Sequence, residues 1–263
     1  MSADAHATIA RVTTPAPPLF FTSPLLTRAG LPHLFSTRHF PGMAGRRDGG
    51  PPFSAEGLAT LAAQGLDGPG PAFARQVHGA DVLTVAGPGL AGTGDALLTD
   101  RPAQPLAIFT ADCVPIVVLD PVGRRLATVH AGWRGTAQAV ATAAARALAA
   151  AGGDPRTFVA ALGPSIGPCC YEVDAPVVER LEAAFPGRWP AWTTPRGPGR
   201  WLLDLWRANA DQLMDAGMPA TAIERLDLCT FCTGDLFYSY RRGAGSGRLA
   251  TVAALPGREI GAC

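Results

Sequence analysis

The chain has 263 residues, of which 48% are hydrophobic and 16% are charged, and its 22 basic and 21 acidic side chains leave a net charge of +1. A neutral chain without a basic block argues against a nucleic-acid partner, and the lack of an apolar run of about 18 residues argues against a membrane-spanning helix. Every basic side chain is an arginine. This excludes a Schiff-base lysine and a P-loop lysine, so a bound anion must be held by guanidinium groups, backbone N–H groups or a metal.

Residues 1–18 are rich in Ala, Thr and Pro and lack the apolar segment of a signal peptide. We expect them to form a frayed tail before one domain over residues 19–263, in a cytoplasmic protein. In that compartment the six cysteines are reduced thiols, core residues or metal ligands rather than a disulfide framework.

Short apolar runs bounded by Gly, Pro and Asp predict strands, and apolar residues at helical spacing predict helices. The predicted strands span residues 33–38, 73–77, 81–85, 96–99, 106–110, 114–119, 125–130, 157–162, 225–229 and 248–253. The predicted helices span residues 54–63, with Ser54 as N-cap, 134–151, 175–185 and 204–216. Strands outnumber helices and come in runs, which favours an α+β fold with mixed β-sheets and flanking helices over a doubly wound parallel sheet.

A predicted hairpin around residues 120–123 brings a thiol and an imidazole together. A two-residue tip at Pro121-Val122 places Cys113 opposite His130, with Cβ atoms about 5 Å apart. The pair can share a metal ion, or it can act as a nucleophile and its base in a Cys–His hydrolase. A histidine from another strand end would complete a His2Cys set with one open position, which is typical of catalytic zinc and could also accept copper.

The remaining cysteines allow a third interpretation, a structural zinc module. A closed site needs a fourth protein ligand, and Cys170 and Cys229 are the candidates. Cys229 also begins a Cys-x-x-Cys pair that ends at Cys232. Because no second pair of this kind stands nearby in the sequence, Cys232 is interpreted as an incidental thiol.

Several segments follow one another in a distinctive order: RQVHG (75–79), DALLT (95–99), TADCVP (110–115), HAGWRG (130–135), LGPSIGPCCYEV (162–173), FYSYRR (237–242) and SGR (246–248). Together they resemble the YfiH/laccase-domain family. The resemblance implies an α/β/β/α-type sandwich with a site between the sheets, and it implies His78, Cys113 and His130 as metal ligands. One departure follows Arg38, where residues 39–58 lack the family's Pro-Tyr and Ser-x-Asn-Leu-Gly stretch.

Members of this family are described as multicopper polyphenol oxidoreductases, peptidoglycan editing factors, and zinc-dependent purine nucleoside phosphorylases with adenosine deaminase activity. A multicopper oxidase needs several His-x-His pairs, but this chain has five histidines and no such pair. The H-x-E and P-C-x-x-C signature of cytidine-deaminase-like enzymes is also absent. We therefore predict a zinc-dependent purine nucleoside phosphorylase of broad specificity, with adenosine deamination as a side activity. A Cys–His hydrolase that edits peptidoglycan precursors is the alternative, and polyphenol oxidation is the least favoured.

This activity assigns roles to particular residues. Zn²⁺ on its three ligands, Cys113 among them, polarises a substrate oxygen or a water. Asp112 is the candidate general base, although it could equally cap backbone N–H groups at the start of a strand. Gln76 is predicted to hydrogen-bond near the metal.

Phosphate and ribose require cationic forks, and purines stack on aromatic rings. The candidate phosphate- and ribose-binding residues are Arg38, Arg134, Arg241 and Arg242. The candidate stacking residues are Trp133, Tyr171, Phe237 and Tyr238. The expected partners are a nucleoside and phosphate, with no nucleic acid and no membrane, and the chain is expected to be a monomer or a small homo-oligomer.

Overall fold

A computed structural model describes residues 16–43, 52–243 and 247–257 of the protein. Its strands are β1 (Phe20–Phe21), β2 (His33–Ser36), β3 (Ala72–Arg75), β4 (Val82–Thr84), β5 (Gly89–Thr93), β6 (Ala96–Thr99), β7 (Leu106–Thr110), β8 (Val114–Asp120), β9 (Arg125–Ala131), β10 (Val159–Leu162), β11 (Glu172–Asp174), β12 (Thr193–Gly197), β13 (Arg200–Leu203), β14 (Ile223–Arg225) and β15 (Leu249–Ala253). Its α-helices are α1 (Pro24–Arg28), α2 (Ala55–Ala62), α3 (Trp133–Ala137), α4 (Val140–Ala150), α5 (Ala175–Ala184) and α6 (Leu205–Asp215). Most of the predicted tail, residues 1–15, lies outside the described residues.

Two six-stranded sheets and one small sheet hold these strands. The first sheet has the order β1-β2-β15-β7-β3-β5, the second β14-β10-β8-β9-β6-β4, and the third β11-β13-β12. Each large sheet combines antiparallel pairs with parallel ones, such as β3 with β5 and β4 with β6. The predicted α+β class with mixed sheets is confirmed.

The strand β8 shows how the layers stack. Its side chains alternate between the two faces of the sheet, as the two-residue period of a strand requires. Ile116 and Val118 pack with residues of α4 to α6, whereas Val117 and Leu119 pack against the first sheet. The outer face of the first sheet is covered by α2 through Leu61. Helices therefore cover both outer faces of a two-sheet sandwich, which confirms the α/β/β/α arrangement.

The register of the β8–β9 hairpin differs from the prediction. His130 pairs with Pro115 and not with Cys113, and Asp120 pairs with Arg125. The loop therefore has four residues rather than two. The Asp120 carboxylate stabilises it by accepting hydrogen bonds from the Gly123 N–H at 2.8 Å and from Arg125 Nη1 at 2.9 Å. Cys113 lies just before β8 begins.

The predicted helix over 134–151 is two helices, α3 and α4, separated at Ala139, which has a left-handed φ of 59°. Side chains of α6 accommodate the break. Gln212 Nε2 donates to the Thr136 carbonyl at 2.8 Å, and Asn209 Nδ2 donates to the Thr136 hydroxyl at 3.0 Å. These partners come from residues about 70 positions away, so the local Ala-rich pattern could not indicate the break.

The strand predicted over 225–229 lies instead at β14, and Cys229 makes only an isolated bridge with Ser165. Asp227 has a left-handed φ of 52°, which interrupts the extended backbone. The third sheet was not predicted. Its strand β12 is largely exposed and contains Pro and Gly, so it lacks the apolar alternation that marks a half-buried strand.

Candidate metal and anion site

Two histidines and one cysteine converge where the chain crosses between the large sheets. His78 lies in the connection from β3 of the first sheet to β4 of the second, and Cys113 lies in the connection from β7 to β8. His130 is near the end of β9. The ligand atoms of the three side chains all lie within 4.8 Å of one another. The three side chains that the resemblance implied as ligands therefore lie together, although the hairpin register predicted for Cys113 and His130 was wrong.

Asp95 organises both histidines. It is buried, and its Oδ1 accepts from His130 Nδ1 at 2.7 Å and from the His78 N–H at 2.9 Å. Its Oδ2 accepts from the N–H groups of Val77 and Gly79 at 3.1 and 2.7 Å. Burial opposes its ionisation, but these hydrogen bonds and His130 hold the pKa of Asp95 below its usual range. Because Nδ1 is bound to Asp95, Nε2 is the atom through which His130 would bind a metal.

The electrostatics favour a thiolate at Cys113. Burial alone raises the pKa of the Cys113 thiol, but the His130 charge and hydrogen bonds from both histidines lower it to about 6. Burial likewise lowers the pKa of His130, and Cys113 and Asp95 raise it to about 9. A thiolate beside two imidazoles is a donor set that suits Zn²⁺ and also Cu²⁺. The cluster can therefore hold a metal ion.

Gly132 permits this convergence because a side chain at this position would clash with Cys113 and His78. A Cβ at this position would lie 2.8 Å from Cys113 Sγ and 3.0 Å from His78 Cδ2. The N–H ends of α3 follow directly, since Gly132 is its N-cap.

Beside the cluster lies a cavity of about 960 Å³ with a positively charged lining. Four of the described arginines line it: Arg75, Arg134, Arg241 and Arg248. Asp112 is its one acidic lining residue among the described residues, and that side chain is buried. Arg241 Nη1 donates to the Glu172 carbonyl at 2.9 Å, and its guanidinium lies over the Tyr171 ring at 4.9 Å. Such a lining suits a phosphate-sized anion beside a planar group.

The predicted arginines divide into two groups. Arg134 and Arg241 line the cavity, whereas Arg38 and Arg242, both within the described residues, do not. Arg38 Nη1 donates to the Gly234 carbonyl at 2.7 Å. Arg242 donates to the carbonyls of Thr230 and Phe231 and so fastens the turn between the two cysteines of the Cys-x-x-Cys pair.

The sequence reasoning missed Arg75, Arg248 and Asp95. All three stand inside the RQVHG, SGR and DALLT segments that carried the family resemblance. That signal could have singled them out.

Asp112 and Gln76 are both committed to the backbone or to neighbouring side chains. Asp112 Oδ1 accepts from the Thr230 hydroxyl at 2.7 Å, and its Oδ2 accepts from the Ser239 hydroxyl at 3.1 Å and the Arg241 N–H at 2.8 Å. Gln76 Nε2 donates to the Phe109 carbonyl at 2.7 Å, and Gln76 Oε1 accepts from the Phe109 N–H at 2.9 Å. Gln76 therefore joins the end of β3 to β7, and Asp112 anchors the segment that carries Arg241. Gln76 also lines the cavity beside the metal cluster, so its hydrogen bond near the metal stays a prediction.

Three of the predicted stacking residues line the cavity, namely Trp133, Tyr171 and Tyr238. Phe237 is fully buried in the protein core and is not available to a ligand. Cys170 and Cys229, the candidates for a fourth metal ligand, do not belong to the histidine cluster. They form a separate group with Cys169 and Cys232, called here the four-cysteine cluster.

The chain belongs to the family described as multi-copper polyphenol oxidoreductase laccase, whose sequence model matches residues 56–256. A purine nucleoside phosphorylase YlmD from Geobacillus stearothermophilus is 38% identical over 190 residues, which are 65% of this chain and 66% of that relative, just under two thirds of its length. A purine nucleoside phosphorylase from Deinococcus radiodurans is 38% identical over 250 residues, 90% of this chain and 94% of the relative. The crystal structure of YlmD from Geobacillus stearothermophilus matches with a TM-score of 0.76 and 29% identity, over 91% of this chain and 100% of that one. The resemblance to the YfiH/laccase-domain family is confirmed.

The longest helices among the described residues, α4 and α6, have 11 residues each, so none of the described helices could span a bilayer.

Proposed function

We propose that this protein is a zinc-dependent purine nucleoside phosphorylase of broad specificity. The observation that carries the proposal is the arginine-lined cavity beside the His78–Cys113–His130 cluster, in a chain with relatives of that name over most of its length. In the reaction a phosphate oxygen bonds to C1′ of the ribose, the bond from C1′ to the purine nitrogen breaks, and the departing base gains a proton. The products are the free base and ribose 1-phosphate.

The arginines supply what phosphate binding needs. Guanidinium forks match the geometry of phosphate oxygens and remain charged at every physiological pH. Arg241 is held in place by the Glu172 carbonyl and by the Tyr171 ring, so little rotamer entropy is lost when it binds an anion. Arg134 lies 4.3 Å from the Trp133 ring centroid at the start of α3. The aromatic faces beside these arginines suit a purine.

The histidine cluster fits a metal by its donors, since one thiolate and two imidazoles form the set expected for three protein ligands with one open position. When bound there, zinc would supply a Lewis acid for a substrate oxygen. The chain's own residues do the positioning: Asp95 fixes the tautomer of His130 and the backbone around His78, and Asp112 holds the Arg241 segment. A general-base role for Asp112 stays a prediction.

An assay with inosine and phosphate tests the proposal by following hypoxanthine and ribose 1-phosphate. Arg241→Ala should raise the KM for phosphate about tenfold or more, since a hydrogen bond to a charged group contributes about 1.5–3 kcal/mol. Arg146→Ala, at an exposed position on α4, is the matched control and should leave this KM unchanged.

Other outcomes point to the alternatives. Release of hypoxanthine without any dependence on phosphate would contradict phosphorolysis, and cleavage of a muramyl peptide would favour the Cys–His hydrolase. Copper-dependent oxidation of a polyphenol would favour the oxidase. Adenosine deamination, the cytoplasmic location and a monomeric or small oligomeric state stay predictions, and the same assay with adenosine tests the first through release of ammonia.

A further inference from the structure

Four cysteines from two distant segments meet in a group that shares no residue with the histidine cluster. Cys169 and Cys170 lie in the loop before β11, and Cys229 and Cys232 lie in the turn that follows β14. All four sulfurs lie within 4.8 Å of one another. Cys232 Sγ is 3.3 Å from Cys170 Sγ and 3.5 Å from Cys169 Sγ. Cys232, interpreted from the sequence as an incidental thiol, therefore has two other cysteines as close neighbours.

The backbone around Cys229 is arranged to stabilise a thiolate. The Gly167 N–H donates to Cys229 Sγ at 3.2 Å, and the turn directs the N–H groups of Cys232 and Phe231 toward the same sulfur. Burial opposes ionisation, but these donors lower the pKa of the Cys229 thiol. Hydrogen bonds from backbone N–H groups to a sulfur are the outer support that metal-bound thiolates receive.

The other sulfurs are crowded around Cys232. Its Sγ lies 3.5 Å from Cys169 Sγ and 3.3 Å from Cys170 Sγ, so thiolates at these positions would repel one another. Repulsion between neighbouring thiolates disfavours the ionisation of several adjacent thiols. A bound dication offsets this repulsion.

The distances suit one ion bound by all four sulfurs. A tetrahedral zinc with Zn–S bonds of about 2.3 Å places its sulfurs roughly 3.8 Å apart. The two separations measured to Cys232 are slightly shorter than this value, and the whole group lies inside 4.8 Å. A disulfide would instead pair two sulfurs at about 2.0 Å, and all four cysteines are free thiols here.

We propose that the four-cysteine cluster is a second metal site of this protein, a closed four-thiolate zinc site with a structural role. Four protein ligands leave no open position for a substrate, in contrast to the histidine cluster. The proposal does not rest on the proposed function, because the cluster and the cavity share no residue.

An ion in this site would join two segments that border the cavity. Tyr171 follows Cys170 directly and lines the cavity wall. Thr230, between the two cysteines of the turn, donates its hydroxyl to Asp112 at 2.7 Å. The cluster therefore links the wall that carries Tyr171 to the anchor of the Arg241 segment.

Metal analysis of the full chain, purified under reducing conditions, tests the proposal. Cys113→Ala lacks a ligand of the histidine cluster and should still contain about one zinc ion per chain, whether or not that cluster binds zinc in the wild type. Cobalt substituted into Cys113→Ala should give the strong sulfur-to-cobalt charge-transfer absorption of a four-thiolate site. Cys232→Ser in the Cys113→Ala background should abolish both the absorption and the remaining metal. A Cys113→Ala protein that takes up no added zinc would overturn the proposal, as would an iron–sulfur chromophore.

A second measurement uses the unaltered protein, so it does not depend on how the variants fold. Alkylation followed by peptide mass spectrometry reports the reactivity of each thiol with and without a chelator. We expect zinc to protect the four clustered cysteines at least tenfold, with the protection lost on chelation. Equal alkylation in both states, or disulfides among these cysteines in the reduced preparation, would contradict a zinc site.

Discussion

Replacing Asp95 with Asn should weaken metal binding at the histidine cluster while leaving the protein folded. The substitution keeps the shape of the side chain but turns one acceptor oxygen into an N–H2 donor. Oδ1 serves His130 Nδ1 and the His78 N–H, and Oδ2 serves the N–H groups of Val77 and Gly79. An amide can therefore satisfy only one of these pairs.

The burial of each donor decides which pair is kept. The hydrogen bond to His130 is buried, whereas those from the Val77 and Gly79 N–H groups are only partly buried, so water can more readily replace the latter two. We expect the amide oxygen to face His130 and the amide N–H2 group to face the loop. His130 then keeps its tautomer but loses its charged partner. Changes of this kind reduce metal affinity by about 10–100-fold, equivalent to about 1.4–2.7 kcal/mol.

Competition with a chelator of known affinity measures this loss, with zinc content per chain read at each chelator concentration. Asp81→Asn makes the same chemical change at a nearby exposed aspartate and should bind zinc as the wild type does. Asp95→Ala should additionally lower the free energy of unfolding by about 3–5 kcal/mol, because a buried partner is removed outright. Wild-type zinc affinity in Asp95→Asn would refute the role given to this carboxylate.

Two further substitutions test the geometry of the site and the pH dependence of stability. Gly132→Ala places a methyl group 2.8 Å from Cys113 Sγ, so it should lower zinc content and activity, whereas Gly197→Ala, which meets no atom within 4 Å, should change neither. Burial lowers the pKa of His33 below 6.5, so the folded state binds fewer protons than the unfolded state and stability should fall as the pH drops from 6.5 toward the folded pKa. Urea unfolding at a series of pH values should show part of this fall disappear in His33→Gln, with His39→Gln as the control for loss of an exposed imidazole; an unchanged slope in His33→Gln would contradict the assignment.

The sequence predicted the elements of the sandwich where local patterns decide them. The strands β6 and β7 have the predicted bounds, and α2 begins after Ser54 as its capping hydroxyl indicated. The class of fold followed from runs of short strands between breakers. What the sequence could not predict depends on partners far along the chain, such as the α6 side chains that accommodate the break before Val140.

In the candidate site too, the sequence predicted what local motifs decide and missed what depends on distant partners. Motif residues indicated the histidines and Cys113, but the predicted hairpin register was wrong by two residues, because Asp120 stabilises a four-residue loop and not a two-residue tip. Arginines were harder to assign, since Arg38 and Arg242 look like Arg241 in sequence and yet do not line the cavity. No local pattern shows whether a guanidinium meets a ligand or a loop.

The histidine cluster lies where the chain crosses from one large sheet to the other, so a bound metal would also affect the stability of the fold. An ion bound there cross-links segments that enter different sheets, so its occupancy and the unfolding of the sandwich are thermodynamically linked. Each tenfold rise in the free metal concentration above the dissociation constant would raise the free energy of unfolding by about 1.4 kcal/mol. Loss of a metal ion from this cluster would then reduce the amount of folded protein.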